Sequence, residues 1–416
     1  MEYNVLMDLA ADIGCRMATA GAETYRIEES INRILGSYGI QSQVYSIPNS
    51  LIITILEHDD TPVTRLCRID NHGTDLDAVE RYSNLSRRIC AETPEPEEAR
   101  IWLWETDAAR KHYPFPIYLL GHILASSGFA VFFGGSLRDS LCAGICGLLL
   151  GLVTHLLDRV QTNSFFKTIA ASFLMALTAY ALAALGLPDH VNASIIGTLM
   201  LLVPGLLFTN ALRDIIFGDT NSGIDRIVAV VLVAAALALG TGAAWNVADR
   251  LWGITVSETS LPIAPVYQCL FSVVACTGFV AVFNLHGYGI AFCALGGGLT
   301  WAAYCIVEAL GGSELLCYFI ATIAAAVFSE IMARIRKYPA ISYLVISLLP
   351  LLPGAGIYYA AQSAVANDMS RAAAYGTHTL AIAGSMAVGI LIVVTGVRIL
   401  NRQLLRRRSR KQPGKK

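Results

Sequence analysis

From Ile117 to the C-terminus the sequence is a succession of apolar runs, each about 20 residues long, the length an α-helix needs to cross a hydrocarbon layer roughly 30 Å thick. Ten can be marked, at approximately 117–135, 138–157, 165–186, 191–213, 224–247, 263–284, 288–310, 314–333, 340–362 and 376–399. A chain built this way has few options, because hydrocarbon offers no hydrogen-bond partners and each run must satisfy its backbone internally as a helix. With 55% hydrophobic and only 15% charged residues over 416 positions, the composition agrees. The expected fold is an α-helical polytopic membrane protein of about ten transmembrane helices, preceded by a small N-terminal α/β domain.

The near-neutral net charge of −1 hides an asymmetry. Residues 1–112 hold 11 Lys/Arg against 19 Asp/Glu, whereas the remainder is net +7, with nine of its cations in the last nineteen residues. The N-terminal part has no basic stripe interleaved with aromatics, which argues against a nucleic-acid partner. It has no short apolar run behind a positive start, so no cleavable signal peptide is expected. Apolar residues at helical spacing predict helices near 3–17 and 24–38, and short alternating segments near 43–47, 51–57 and 63–69 predict an antiparallel meander. Two polar helices, near 75–91 and 96–111, complete a cytoplasmic head of residues 1–112. The body divides into 113–255 and 256–400, and 401–416 form a basic tail.

Orientation follows from the cations, since short cytoplasmic loops accumulate Lys and Arg. The tail (Arg402, Arg406, Arg407, Arg408, Arg410, Lys411, Lys415, Lys416) places the C-terminus in the cytoplasm, and an even number of spans returns the head to the same side. Arg159, Lys167, Arg213, Arg226, Arg334, Arg336 and Lys337 fall on loops assigned inside, against Arg138, Arg250 and Arg371 outside. The bilayer is thus a partner, with the plasma (inner) membrane the expected location.

The body also contains an internal echo. Leu201-Leu202-Val203-Pro204-Gly205 resembles Leu349-Pro350-Leu351-Leu352-Pro353-Gly354, and at the same offset of 149 residues Ala211 meets Ala360, Asp219 meets Asp368 and Gly147 meets Gly296. A duplicated unit of five spans must enter the membrane from opposite sides, giving a 5+5 inverted repeat of the kind used by transporters that alternate access. Chance recurrence of Pro-Gly in apolar helices is the plainer alternative.

Proline removes a donor and glycine loosens a helix, so Pro204-Gly205 and Pro353-Gly354 are expected to free carbonyls and half-helix N-termini near mid-span, able to hold a small solute; a packing kink is the alternative. Asn210, Arg213, Asp214 and Asp219 lie just beyond the first of these in the densest polar stretch of the body, and Asp368 stands at the matching place in the second half. These form the candidate pathway, with Glu308 and Glu330 as candidates for proton coupling, although Glu330 and Arg334 also have the spacing of an ordinary helical ion pair. His122, His155 and His286 read more simply as packing residues. In the head, Gly21, Glu23, Thr24, Arg26, Glu28 and Glu29 concentrate charge at a helix start, either as a surface network or as a gate against the body. Most of the ten cysteines, among them Cys142, Cys146, Cys269, Cys276, Cys293, Cys305 and Cys317, sit in apolar runs without metal spacing and read as small buried hydrophobes. No hydrolase elbow, phosphate loop or paired metal ligands are visible, so neither cofactor nor metal is expected. An enzyme would have to be assembled from Glu23, Arg26 and His58 or His72.

These residues resemble a known family over nearly the whole chain. The segment Gly21 to Ser30 (GAETYRIEES) is similar to the N-terminal signature of the threonine/serine exporter (ThrE) family, and Pro204-Gly205 with Arg213, Gly218-Asp219 and Ser222-Gly223, and Leu352-Pro353-Gly354 with Asn367-Asp368, extend the likeness into both halves. The resemblance implies a ten-span secondary exporter of small hydroxy amino acids, threonine and serine, driven by the proton motive force, with protons as the coupled partner and the N-terminal region in the cytoplasm. Relatives that divide the halves between two polypeptides are associated with dicarboxylate export, notably succinate, which is the alternative substrate class. A membrane-anchored hydrolase or a sensor using the head is the alternative from outside transport, and a homo-oligomer is left open.

Overall fold

The computed structural model describes residues 3–56, 61–70, 73–160, 162–253, 263–287, 289–336 and 339–411. His58, His72, Lys337 and the side chains of the basic tail beyond Leu400 lie outside the described residues.

The residues before Pro114, called the head below, form α1 (Tyr3–Thr19), α2 (Thr24–Ser37), β1 (Ser42–Ile47), β2 (Ser50–Leu56), β3 (Pro62–Arg68), α3 (Leu76–Glu92) and α4 (Pro96–Ala108). The strands make an antiparallel sheet in the order β1-β2-β3, with Ile53 opposite Val44 on one side and Arg65 on the other. Because successive strand residues face opposite ways, β2 buries Leu51, Ile53 and Ile55 on a single face. Against it pack Leu6, Leu9, Ile13 and Met17 of α1 and Ile27, Ile31 and Ile34 of α2, the sets that steps of three and four place on one helical stripe. Cys15 of α1 and Cys67 of β3 are joined by a disulfide, a pairing with no signal in the sequence. Asp75 caps α3 by accepting the Ala78 N–H at 3.0 Å.

The body comprises α5 (Phe115–Phe132), α6 (Leu137–Arg159), α7 (Ser164–Ala184), α8 (Val191–Leu199), α9 (Gly205–Phe217), α10 (Thr220–Trp252), α11 (Pro265–Val282), α12 (Ile290–Ala309), α13 (Glu314–Arg336), α14 (Ala340–Leu348), a 3-10 turn at Leu349–Leu351, α15 (Gly354–Val365) and α16 (Met369–Lys411). Among the described residues eight helices are long and apolar enough to cross a membrane, and the pair Ala340–Leu351 with Gly354–Val365, bent by 52°, makes up to nine. The sequence run 191–213 is not one helix: α8 stops at Leu199 and α9 starts at Gly205, because Pro204 has no N–H to continue the ladder.

Helices α5 and α11 cross at the middle of the body with almost no side chain between them. A Cβ on Gly128 would stand 2.6 Å from the Ala275 nitrogen, and one on Gly278 would overlap the Ala125 nitrogen. Phe129 meets Phe279 edge to face at 5.9 Å. Around this seam α15 lies on α10, where the Tyr358 hydroxyl and Thr241 Oγ1 are 3.2 Å apart, while α9 lies on α16. Each broken segment therefore packs on the last helix of the other half.

The head covers one end of the body. The Leu76 N–H donates to the Phe283 carbonyl at 3.0 Å, the Tyr113 hydroxyl donates to the Leu285 carbonyl at 2.8 Å, and Ile341 and Val345 of α14 complete the head's apolar core. Near the other end of α16, Arg398 lies 4.7 Å over the Tyr25 ring. At the end away from the head, buried Asp139 accepts the backbone N–H groups of Ser136 (2.7 Å) and His190 (2.8 Å) and lies 3.1 Å from the His190 ring, tying α6 to α8.

Candidate functional site

The two Pro-Gly pairs start α9 and α15 with nearly the same backbone conformation, Pro204 at φ −82°, ψ 43° and Pro353 at φ −76°, ψ 47°. They also touch. A Cβ on Gly205 would lie 2.9 Å from Leu352 Cβ, and one on Gly354 would lie 3.0 Å from Val203 Cγ1 and 3.2 Å from Met200 Sδ. Two half-helix N-termini thus meet inside the body, and the N–H groups of their first turns have no partner within their own helices. Such ends favour negative charge.

From this meeting point a cavity of about 680 Å³ runs towards the head. Its inner wall includes Pro204, Gly205, Leu352 and Gly354, and its outer wall adds Asn210, Asp225 and Arg226 of the body with Gly21 and Thr24 of the head. The volume is that of a small-molecule cleft, ~300–1,000 Å³.

At the mouth the head and body are held by charge. Glu23, at the N-terminal boundary of α2 and buried, pairs with Arg213 of α9 and lies 3.6 Å from Arg26. Asp214 lies 3.1 Å from Arg226 and 3.6 Å from Arg213, and Arg226 donates to the Thr24 hydroxyl at 3.2 Å. Burial alone would raise the Glu23 carboxyl, but the cations Arg213 and Arg26 prevail and hold it down at about 2. Glu23 is therefore ionised at neutral pH in this arrangement. The cluster holds three guanidinium groups and two carboxylates, and the Nε atoms of Arg26, Arg213 and Arg226 are buried without a hydrogen-bond acceptor among the described residues.

The remaining candidates are dispersed. Asp219 and Asp368 each follow a residue in the left-handed region, Gly218 at φ 102° and Asn367 at φ 63°, and each opens a long helix, α10 and α16. The N–H of each donates 2.9 Å back to the residue five before it, Asp214 and Ser363. They occupy matching places at opposite ends of the body rather than one site. Asp368 accepts the Arg371 N–H at 3.0 Å, as an N-cap does. Asp219 faces Glu28, which accepts the Ser46 N–H at 2.9 Å; burial raises the Glu28 carboxyl, that hydrogen bond opposes the shift, and Asp219 adds to it. Glu330 pairs with Arg334 at 3.3 Å, the helical pairing its spacing allows, Glu308 is exposed on α12, and Glu29 pairs with Arg33 at 2.7 Å. The histidines pack: His122 Nδ1 is 3.0 Å from the Tyr118 carbonyl, His155 lies 4.5 Å from the Phe115 ring and His286 stacks on Tyr113 at 4.1 Å. No group of three His, Cys, Asp or Glu residues able to hold a metal occurs among the described residues.

The pairing of Glu23 with Arg213 was not readable in the sequence, although both residues stand out there. They are 190 positions apart, and only the polar run at 210–226 hinted that the body needed a charged partner.

No solved structure matches the chain. A threonine/serine exporter of Corynebacterium glutamicum is 25% identical over 407 residues, covering 93% of this chain and 81% of the relative. A "Probable threonine/serine exporter" of Mycobacterium tuberculosis (strain ATCC 25618 / H37Rv) is 20% identical over 376 residues, covering 87% and 70%. The family described as "Putative threonine/serine exporter" matches residues 8–248, and that described as "Threonine/Serine exporter, ThrE" matches residues 268–395. With both halves matched in order, the chain belongs to the threonine/serine exporter family, the matched residues running from α1 through both Pro-Gly breaks.

Proposed function

We propose that the protein is a secondary active exporter that moves threonine and serine out of the cell in exchange for inward proton flow. The observation that carries the reading is the cavity joining the paired Pro-Gly breaks to the charge-held head. In this reading the chain crosses the plasma membrane ten times as a 5+5 inverted repeat, with α8/α9 and α14/α15 as broken spans and both termini in the cytoplasm. Support comes from reciprocal packing: Gly128 on Ala275 and Gly278 on Ala125 are the same contact shifted by 150 positions, and Phe129 meets its own counterpart Phe279, as residues on a twofold axis do. At that shift Gly147 on Ser126 matches Gly297 on Cys276, so in the second spans Gly297 rather than Gly296 is the counterpart of Gly147.

Substrate enters from the head side when the Glu23–Arg213 contact parts. Its carboxylate is received by the converging N-termini of α9 and α15, and its ammonium and hydroxyl groups face the polar wall of Asn210 and Asp225. Rocking of the broken spans about the α5/α11 seam then opens the site towards the far end. Glu28, which feels the charge of Asp219 across the head–body boundary, is where a proton would bias the closed state, because protonating it removes that repulsion.

Efflux from cells loaded with a threonine- or serine-containing dipeptide, with and without the gene, tests this directly. Faster amino-acid efflux that disappears when the proton gradient is collapsed is expected. Succinate outside with unchanged amino-acid efflux would transfer the same architecture to dicarboxylates, and absence of either flux would sink the transport reading.

A further inference from the structure

The head carries a second cleft, of about 380 Å³, on the groove between α2 and α3 and separate from the transport cavity. Three arginines, Arg26, Arg33 and Arg87, line it together with the hydroxyls of Ser30 and Ser86, and Glu29 stands at its edge. In a head with net charge −8, gathering three guanidinium groups around one hollow is an exception that needs a cause.

The cations there are only partly neutralised from within. Arg33 has Glu29 at 2.7 Å, and the buried Nε of Arg26 lies 3.6 Å from Glu23, beyond hydrogen-bond reach. Arg87, an exposed side chain, has neither ion pair nor hydrogen bond among the described residues; partial desolvation and the repulsion of Arg26 and Arg33 outweigh the attraction of Glu80 and lower its pKa. Counting only side chains that line the hollow, three positive charges face one negative. The surplus matches a dianion. Guanidinium forks bind the oxygens of phosphate in pairs, and three approaching from two helices suit a tetrahedral group better than a planar carboxylate.

We propose that this cleft is a binding site for a phosphoryl dianion, and that its occupant draws on Arg26, the arginine that otherwise helps hold Glu23 at the head–body boundary. The anion and Glu23 then share one cation, so the site is coupled to the mouth of the transport cavity. The proposal does not depend on which solute the body carries.

The test uses the full chain in phosphatidylcholine nanodiscs, titrated with inorganic phosphate at constant ionic strength and followed by thermal shift and calorimetry. Saturable stabilisation is expected, with at least tenfold weaker affinity in Arg87→Met. Ser30→Asp places a fixed negative charge four residues after Arg26 and three before Arg33; it is expected to raise the Tm without phosphate and abolish the response to it. Phosphate affinity equal to the parent in Ser30→Asp, or a non-saturating response shared by all three proteins, overturns the site. Glu23→Gln, which frees Arg26, is expected to tighten phosphate binding several-fold, and an unchanged affinity there refutes the sharing. Repeating the titration in nanodiscs containing phosphatidic acid, whose phosphomonoester headgroup can carry two negative charges, separates the sources: weakened phosphate binding identifies the lipid headgroup as a competing occupant, and unchanged binding identifies a soluble phosphate compound.

Discussion

Glu23 and Arg213 are both buried, and each would be a costly solitary charge. Removing one partner of such a pair leaves the other uncompensated, at a cost of about 3–5 kcal/mol. Glu23→Gln is therefore expected to lower the Tm of the purified protein markedly. Glu23→Gln with Arg213→Gln should recover part of the loss, because the orphaned charge is gone, and strict additivity in that double-mutant cycle would show that the two do not interact. The pH dependence has a definite sign. The folded carboxyl sits at about 2 against an ordinary value of 4.5, so the stabilisation is complete above 4.5 and is lost as pH falls towards 2. With Arg213 and Arg26 in place, Glu23 does not titrate near neutrality. Gly278 makes a second expectation at this scale: Gly278→Ala would drive a methyl into the α5 backbone, costing roughly 1–3 kcal/mol as overpacking. Gly242→Ala, with open space around the added carbon, should be near neutral and serves as the control in the same melting experiment.

At the scale of elements, the breaks themselves were legible because proline and glycine act locally, through a missing donor and a missing Cβ. Their mutual contact was not, since nothing in the 148 residues between Pro204 and Pro353 encodes which helices bring them together. Apolar periodicity located the head's helices and strands for the same local reason. It could not separate α8 from α9, because hydropathy continues smoothly through 200–204 while the backbone does not. Gly205→Ala is expected to reduce efflux at unchanged expression, by pushing Leu352 away from the meeting of the two half-helices; efflux at the parent rate would remove the central breaks from the pathway. The boundary between α2 and α10 gives a pH expectation opposite in sign to that of Glu23. Because Glu28 is raised in the folded protein, its contribution is greatest below 4.5 and is lost as pH rises through the raised value. Glu28→Gln should therefore flatten the acid side of the dependence of head–body cross-linking on pH.

For the molecule as a whole, the surfaces that close the body are shared between halves: α5 with α11, α10 with α15, α9 with α16. Neither half buries these faces alone. Residues 1–253 and 263–416, expressed together as two chains, are expected to copurify as a complex, whereas either alone should aggregate or be degraded; recovery of one stable half by itself would contradict the shared seam. Hydropathy made the helical body legible, since the bilayer imposes a length and a composition on anything that crosses it. The head's place against the body was not legible, because its contacts come from single residues scattered from Arg213 to Arg398.

That scatter sets an order of events during synthesis. Tyr25 leaves the ribosome 373 residues before Arg398, which at ~5–20 residues per second is a delay of roughly 20–75 s. For about half of it Glu23 waits for Arg213, and for most of it the head must hold its own core while the side that will receive Ile341 and Val345 stays uncovered. A nascent chain stalled after the first half would leave that unfinished face exposed. It is there that a chaperone or a quality-control protease would distinguish an incomplete translation product from a finished one.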